Sequence, residues 1–190
     1  MIPLSWSISL PLLLTLLMGP RSTPEAPPLR IDFGRDTGGQ NWAVLNDGVM
    51  GGLSVGDATL TDSSLVFTGT VSLDNFGGFT SVKGPFERTD LSAFETVRVR
   101  YRCQGQVFAL TLEMDERFFV PYYRGVLEPA SDEWRVAVLP LAAFEQYNLG
   151  RPTGTRFERD VRADVLRLGL ITIAKQEGPF ELELDYIVFE

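Results

Sequence analysis

From residue 96 to residue 103 the sequence reads Thr-Val-Arg-Val-Arg-Tyr-Arg-Cys. Apolar and arginine side chains alternate with a period of two, which is the period of a β-strand rather than of a helix. The apolar side chains therefore face a core, and the three arginines face the other way, where they must be solvated or paired. With 25 acidic residues in the chain, internal pairing is their simplest use. The stretch predicts a strand that covers the core on one side only.

The same period of two recurs on both sides of this strand. After Gln-Gly-Gln, a short hairpin connection, residues 107–114 alternate again. Helical periodicity is rare, and the best candidate for a helix is residues 141–146. About ten short strands with almost no helix predict an all-β fold of two packed antiparallel sheets, a sandwich or jelly roll. The other candidate strands are residues 29–33, 42–45, 64–72, 77–82, 118–123, 134–139, 166–173 and 180–189.

The last candidate strand has the longest alternation. Its pattern places one set of side chains inward and the other outward along the whole strand. The predicted inward set is Phe180, Leu182, Leu184, Tyr186 and Val188, and the predicted outward set is Glu181, Glu183, Asp185 and Ile187.

The first 28 residues read as a leader and a linker. Residues 2–18 are uncharged and mostly apolar, and residues 20–28 hold four prolines. The apolar run has the length of a signal-peptide core and is short for a membrane span, although no Lys or Arg precedes it. We expect an atypical signal peptide that exports the protein (secreted or periplasmic), or an uncleaved leader that anchors it to a membrane. A single β-sandwich domain is expected over residues 29–190.

Composition excludes several classes of function. The chain has no histidine and one cysteine, Cys103, so it lacks a Ser-His-Asp triad, a Cys-His pair, a disulfide and a thiolate zinc site. A net charge of −8 does not suit nucleic acid. No Gly-x-Gly-x-x-Gly precedes a long helix, so no nucleotide cofactor is expected. We expect a binding protein without a cofactor, with a carboxylate-based glycosidase or lyase as the enzymatic alternative. Cys103 lies in the apolar alternation and is expected to be a buried thiol.

Two glycine-rich segments are candidate sites for a ligand or partner. Glycine permits close backbone approach and positive φ, and an exposed aromatic ring can serve as a platform for a sugar or an apolar peptide. The alternative is that the polar side chains only form turn hydrogen bonds and that the second segment is a bulged hairpin whose Phe79 points inward. The candidates are Asn46, Asp47, Met50, Gly51, Gly52 and Ser54 in the first segment, and Asn75, Phe76, Gly77 and Gly78 in the second.

Three further candidate sites have a weaker signal, and each has a structural alternative. Asp32 and Asp185 are weak candidates for a shared Ca²⁺ site, since the first and last strands of a sandwich often lie close together. The alternative is that both are solvated acids. Residues 113–117 form a charged cluster that we expect at a hairpin tip in water. Tyr-Tyr-Arg at residues 122–124 is a candidate to bind an anionic or aromatic group through bidentate and cation–π contacts. The alternative is that its arginine pairs with an acid of the same chain.

Four segments in order resemble the complex I intermediate-associated protein 30 family, and the similarity runs over residues 30–190. They are Trp-Ala-Val-Leu-Asn-Asp-Gly-Val-Met-Gly-Gly-Leu-Ser at 42–54, Asn-Phe-Gly-Gly-Phe-Thr-Ser-Val at 75–82, Asp-Leu-Ser-Ala-Phe-Glu at 90–95, and Lys-Gln-Glu-Gly-Pro-Phe-Glu-Leu-Glu-Leu-Asp-Tyr-Ile at 175–187.

The resemblance implies a galactose-binding-like β-sandwich and, for mitochondrial members, an assembly factor that holds membrane-arm intermediates of respiratory complex I. Mitochondrial members carry a basic, amphipathic transit peptide, whereas this chain has an apolar leader. The expectation that carries over is therefore a non-enzymatic binding role, with a protein partner such as a membrane-complex assembly intermediate. The alternative is a secreted carbohydrate-binding module that holds a glycan on exposed aromatics such as Phe76 and Trp42.

Overall fold

The computed structural model describes residues 26–117, 119–129 and 132–190, and residues 1–25 of the predicted leader lie outside them. The described part forms two antiparallel sheets joined by short turns, which confirms the predicted jelly-roll sandwich. Its strands are β1 (Leu29–Asp32), β2 (Ala43–Asn46), β3 (Val55–Leu60), β4 (Leu65–Val71), β5 (Thr80–Lys83), β6 (Thr96–Gln104), β7 (Phe108–Glu113), β8 (Tyr122–Val126), β9 (Arg135–Pro140), β10 (Glu145–Asn148), β11 (Arg151–Arg156), β12 (Arg167–Thr172) and β13 (Gly178–Phe189).

The two sheets have six and seven strands. The first has the order β3-β4-β13-β6-β9, and β1 pairs with the second half of β13. The second has the order β11-β10-β8-β7-β12-β5-β2. Among the described residues, no helix is long and apolar enough to span a bilayer.

Strand β6 has the two faces that its sequence predicts. Val97, Val99, Tyr101 and Cys103 are buried in the core, which confirms the buried thiol. On the outer face each arginine meets an acid of a neighbouring segment, which confirms internal pairing. The pairs are Arg98 with Glu190, Arg100 with Asp185, and Arg102 with Glu183.

Three phenylalanines join the sheets at the centre of the sandwich. Phe67 of β4 and Phe180 of β13 come from the six-stranded sheet, and Phe108 of β7 comes from the seven-stranded sheet. Their ring centroids lie 4.9 to 6.4 Å apart in edge-to-face arrangements. Such pairs contribute about 0.5–1.5 kcal/mol each beyond the burial of their area. The core therefore fixes how the two sheets stack.

The predicted facing of β13 is right through Asp185 and wrong at Tyr186 and Ile187. The register with β6 shifts between Leu184 and Tyr186, as at a β-bulge, where one extra residue reverses the alternation. Ile187 is therefore buried in the core. Tyr186 faces outward, where the Arg30 guanidinium lies 4.2 Å from its ring centroid.

The predicted helix at residues 141–146 is also wrong. Leu141–Ala143 form a single 3₁₀ turn, and Phe144 is already extended, with φ −65° and ψ 130°. Both Leu141 and Phe144 are buried, a spacing of three that a helix would also produce. The chain continues instead as β10, which pairs with β8.

Three strands lack a clear signal in the sequence. Strand β3 reads Val-Gly-Asp-Ala-Thr-Leu and buries none of its residues fully, and β11 is exposed along its whole length. Strand β10 lies within and just beyond the segment predicted to be helical. The strand predicted at 118–123 is found later, at Tyr122–Val126, and residue 118 lies outside the described part.

Candidate functional site

Asp47 is the centre of the two glycine-rich segments. Its side chain is fully buried and accepts four hydrogen bonds. Oδ1 accepts from the backbone N–H of Ser54 at 3.0 Å, and Oδ2 accepts from the Ser54 hydroxyl at 2.7 Å. Oδ2 also accepts from the N–H groups of Gly78 at 2.8 Å and Phe79 at 3.3 Å. One carboxylate therefore ties the loop after β2 to the loop before β5.

These hydrogen bonds keep Asp47 ionised. Burial raises the pKa of this carboxyl group, but the hydrogen bonds from Ser54, Gly78 and Phe79 together outweigh burial and hold the pKa below its ordinary value. Ser54 extends the network, because its hydroxyl oxygen accepts from the Ser72 N–H at 3.0 Å. Asp47 and Ser54 thus position the loops and do not contact solvent.

Two glycines are required by this packing. A Cβ on Gly52 would lie 2.3 Å from Cγ of Asp47, and one on Gly77 would lie 2.6 Å from its Oδ2. Real Cβ atoms do not approach that closely, so these positions exclude any side chain. The glycines predicted as a binding surface instead allow the two loops to close around the carboxylate.

The loops expose an apolar surface, which we call the apolar tip. Its members are more than 45% exposed, and Phe76 is 99% exposed. No charged residue occurs at positions 48–56 or 75–82, and the neighbouring Asp74 is the nearest exposed acid in the sequence. The apolar tip consists of Val49, Met50, Leu53, Leu73 and Phe76.

The backbone under Phe76 is unusual. Asn75 and Phe76 have φ of 53° and 63°, the left-handed conformation that costs a residue with a side chain roughly 1–2 kcal/mol. Consecutive residues in this region are uncommon and occur preferentially at functional sites. Here the conformation directs a phenylalanine into solvent.

The structure brings together most of the predicted site residues. Met50 and Phe76 are on the apolar tip, whereas Asn46 lies beneath it and accepts a hydrogen bond from the Thr80 hydroxyl. Gly51 ends the 3₁₀ turn at Asp47–Met50 with φ 90°. Trp42 packs edge-to-face against Phe33 at 4.9 Å and is half-buried against the core. Phe79 is half-buried.

Sequence reasoning missed three members of the apolar tip, Val49, Leu53 and Leu73. The available signal was their apolar character within loops between strands.

The other candidates are distributed over the outer faces of the sheets. Asp32 pairs with Arg30 at 2.6 Å, and Asp185 pairs with Arg100. Within the described residues no group of three or more acidic, histidine or cysteine side chains is arranged to hold a metal ion. The two aspartates predicted to share a calcium ion therefore each pair with an arginine instead.

The charged cluster at 113–117 divides into two parts. Asp115 and Arg117 pair in solvent, as expected for a hairpin tip, and the pair holds the pKa of Asp115 well below its usual range. Glu113 is different from the expectation, because it is buried at the end of β7 between two cations.

Comparison with known proteins assigns the chain to a family. The model of the complex I intermediate-associated protein 30 family (CIA30) matches residues 31–184. The chain belongs to this family. The match spans the residues of the Asp47 network and of the apolar tip, so both lie within the CIA30 domain of this chain.

Solved structures with a similar fold include a carbohydrate-binding module and part of an agarase. The family 11 carbohydrate-binding module of the cellulosomal cellulase Lic26A-Cel5E of Clostridium thermocellum has a TM-score of 0.61 at 13% identity, covering 85% of this chain and 94% of that one. The same module in complex with a β-1,3-1,4-mixed-linked tetrasaccharide has a TM-score of 0.57 at 14% identity over 84% and 94%. An agarase, AgWH50C, has a TM-score of 0.53 at 12% identity over 84% of this chain and 24% of that one. At these identities the likeness establishes the fold alone.

Proposed function

We propose that this CIA30 domain is a non-enzymatic assembly factor that binds an unfinished membrane-protein complex through the apolar tip. The observation that carries the proposal is the tip itself, where Phe76 is 99% exposed on a strained backbone. An exposed apolar group of this kind is a recognised sign of an interaction site. Family membership supports the nature of the partner, because the family is named for intermediates of complex I.

The construction of the tip supports a binding role. Asp47 fixes both loops from below, so the apolar side chains are presented on a preorganised support and little ordering is needed on binding. Aromatic and methionine side chains are enriched at protein interfaces, and the tip has one of each, Phe76 and Met50. No cation lies among the tip residues, so an anionic surface is a poor match.

Affinity purification with matched variants tests this function. The tagged full-length chain is recovered from crosslinked membrane and extracytoplasmic fractions of its own cells, and its partners are identified by mass spectrometry. We expect subunits of one membrane complex with the wild type and with Val138→Ser, an exposed residue of β9. We expect their loss with Phe76→Ser. Equal recovery with both variants would contradict the proposal.

Glycan binding is the second candidate. Its support is that the fully exposed Phe76 ring can serve as a platform for a sugar, together with the likeness of fold to a carbohydrate-binding module. A glycan array with the same two variants separates the candidates. Binding of a neutral glycan that depends on Phe76, without any protein partner, would replace the first proposal.

We further propose that the leader places the domain outside the cytoplasm. An apolar run at residues 2–18 that is followed by the Pro-rich segment supports export or anchoring. Fractionation of cells and N-terminal sequencing of the mature chain test this proposal. A full-length chain recovered only in the cytoplasm would contradict it.

A further inference from the structure

A row of six residues, five of them with polar side chains, crosses the outer face of the seven-stranded sheet, away from the apolar tip. Directly paired residues of antiparallel strands carry their side chains on the same face. The register from β5 to β11 therefore places six residues in one line, which spans roughly 24 Å at about 4.8 Å per strand. The row consists of Lys83, Gly169, Thr111, Arg124, Glu145 and Arg156.

A second row lies two residues along the strands. It contains Arg167, Glu113, Tyr122 and Tyr147, which are paired in this order across β12, β7, β8 and β10. The two rows form a strip about 7 Å wide, which we call the sheet strip. It holds four cations and two carboxylates, a local positive excess on a chain of net charge −8.

The charges at one end of the strip are nearly buried and incompletely balanced. Glu113 accepts from Lys83 Nζ at 2.5 Å and from Arg167 Nε at 2.8 Å. The exposed fractions of these side chains are 11, 15 and 14% in that order. One carboxylate thus serves two cations, and burying the surplus charge is costly unless a further anion compensates it.

The middle of the strip has polar atoms without partners. Thr111 is 2% exposed, and its hydroxyl oxygen is buried without a hydrogen-bond partner among the described residues. The same holds for Nε of the neighbouring Arg124. Buried polar atoms of this kind are rare and call for a water or a ligand.

Arg124 and Arg156 are the cations at the other end, and Nη1 of Arg156 donates to the Ala143 carbonyl at 3.0 Å. Neither forms an ion pair with a carboxylate within the described residues. The Arg124 guanidinium lies 3.3 Å from the centroid of the Tyr147 ring, which holds its plane in place. A cavity of about 300 Å³ opens beside them, lined by these arginines, Glu145 and Tyr147 and also by apolar residues that include Val126, Leu139 and Phe144.

We propose that the sheet strip binds an acidic oligosaccharide, a chain of sugars that carry carboxylates, laid across the strands. The strip carries cationic donors, two carboxylate acceptors and the hydroxyl groups of Thr111, Tyr122 and Tyr147, which are the kinds of group that pair with sugar hydroxyls. An extended peptide would find no free backbone edge on the face of a sheet, and its amide groups would lose partners. The planar guanidinium groups of the arginines favour carboxylates, which they bind through two parallel hydrogen bonds.

A panel of uronate oligosaccharides tests the proposal by calorimetric titration of the full chain. The probes are tetramers of galacturonate, mannuronate and guluronate, each paired with its fully methyl-esterified form, and an octaglutamate peptide. We expect at least one uronate tetramer to bind about tenfold or more tightly than its ester and than the peptide. Equal binding of acid and ester, tighter binding of the peptide, or no binding of any tetramer at millimolar concentration would overturn the proposal.

Matched arginine variants locate the site. Arg124→Gln and Arg156→Gln are expected to weaken uronate binding about tenfold each. Arg35→Gln, which removes an exposed arginine from the β1–β2 connection, is expected to bind as the wild type does. Arg156 is exposed, so its variant folds even if the Arg124 variant does not. Binding that depends on Phe76 and not on these arginines would place the ligand at the apolar tip and contradict the proposal. Because the apolar tip and the sheet strip consist of different residues, the proposed partner binding and the proposed oligosaccharide binding can be disproved independently.

Discussion

Asp47 acts through the loops that it holds and not through a ligand. If Asp47 contacted a partner, its removal would abolish binding and leave stability nearly unchanged, whereas removal of a residue that holds a turn would lower stability. The buried carboxylate with four hydrogen bonds favours the second outcome.

Replacement of Asp47 by alanine is expected to lower the free energy of unfolding by roughly 3–5 kcal/mol, because buried N–H groups lose their acceptor. Chemical denaturation at neutral pH measures this change. Met50→Ala, at an exposed position, is the control and should stay within about 0.5 kcal/mol of the wild type. A stable Asp47→Ala protein would mean that the network contributes little.

The ionisation of Asp47 also predicts a dependence of stability on pH. Its pKa is lower in the folded chain, so the stabilisation is present above the unfolded value of about 3.9 and is lost as pH falls through the folded value. Denaturation curves between pH 6 and pH 2, at about one-unit steps, should show a smaller acid loss for Asp47→Asn than for the wild type. Parallel curves for the two proteins would contradict the assigned pKa shift.

Phe76, in contrast to Asp47, is expected to matter for partner binding and not for stability. Phe76→Gly should leave the melting temperature unchanged or slightly raised, because relief of the left-handed strain, roughly 1 kcal/mol, offsets the entropy that glycine adds to the unfolded chain. Partner binding should be lost with the ring. Thermal unfolding and partner capture measure the two effects, and a clear loss of stability would show that the ring packs against the fold.

At the scale of elements, the two tip loops depend on glycines whose role the sequence did not reveal. Gly48, Gly51 and Gly52 looked equivalent as residues that permit positive φ. In the structure Gly51 has positive φ and Gly52 faces the Asp47 carboxylate, whereas a Cβ on Gly48 would have nothing within 4 Å.

Gly52→Ala is therefore expected to destabilise the domain by about 2–4 kcal/mol through the forced displacement of Asp47. Gly48→Ala in the same loop should change stability by less than about 0.5 kcal/mol. Urea denaturation of the two variants, side by side, makes the comparison. Similar stabilities would show that the loop yields to the added methyl group.

The elements that the sequence predicts well are those with large apolar side chains at a period of two, such as β6. Prediction fails where the period is interrupted or absent. The bulge after Leu184 reverses the facing of β13, and β11 buries none of its six residues. A chain segment without buried side chains carries no periodic signal, because its position depends on the neighbour with which it pairs.

At the scale of the whole molecule, the sequence predicted the sandwich and the family but not the arrangement of its surfaces. Asp47 and Gly78 are 31 residues apart in the chain, so their contact depends on the folded sheets. The sheet strip also depends on the folded sheets, because Lys83 of β5 and Glu113 of β7 are brought together across β12. Tyr122 and Arg124 were recognised as candidates, and only the register across β7, β8 and β10 gives them their neighbours.

A core of packed phenylalanines and the buried Asp47 network support the fold, and the apolar tip stays exposed. Under the proposed function, this exposed tip is the surface that binds a partner. A substitution in the tip should alter binding alone, whereas one beneath it should alter both binding and stability.

Site-specific photo-crosslinking tests the central claim most directly. A benzophenone amino acid is placed at position 76 or, as the control, at position 138 of the otherwise native full-length chain, and living cells are irradiated. The account predicts crosslinks from position 76 to one or two subunits of an unfinished membrane complex, and none of these from position 138. The absence of any protein crosslink at position 76, or the same products from both positions, would contradict the assignment of the apolar tip as the partner-binding surface.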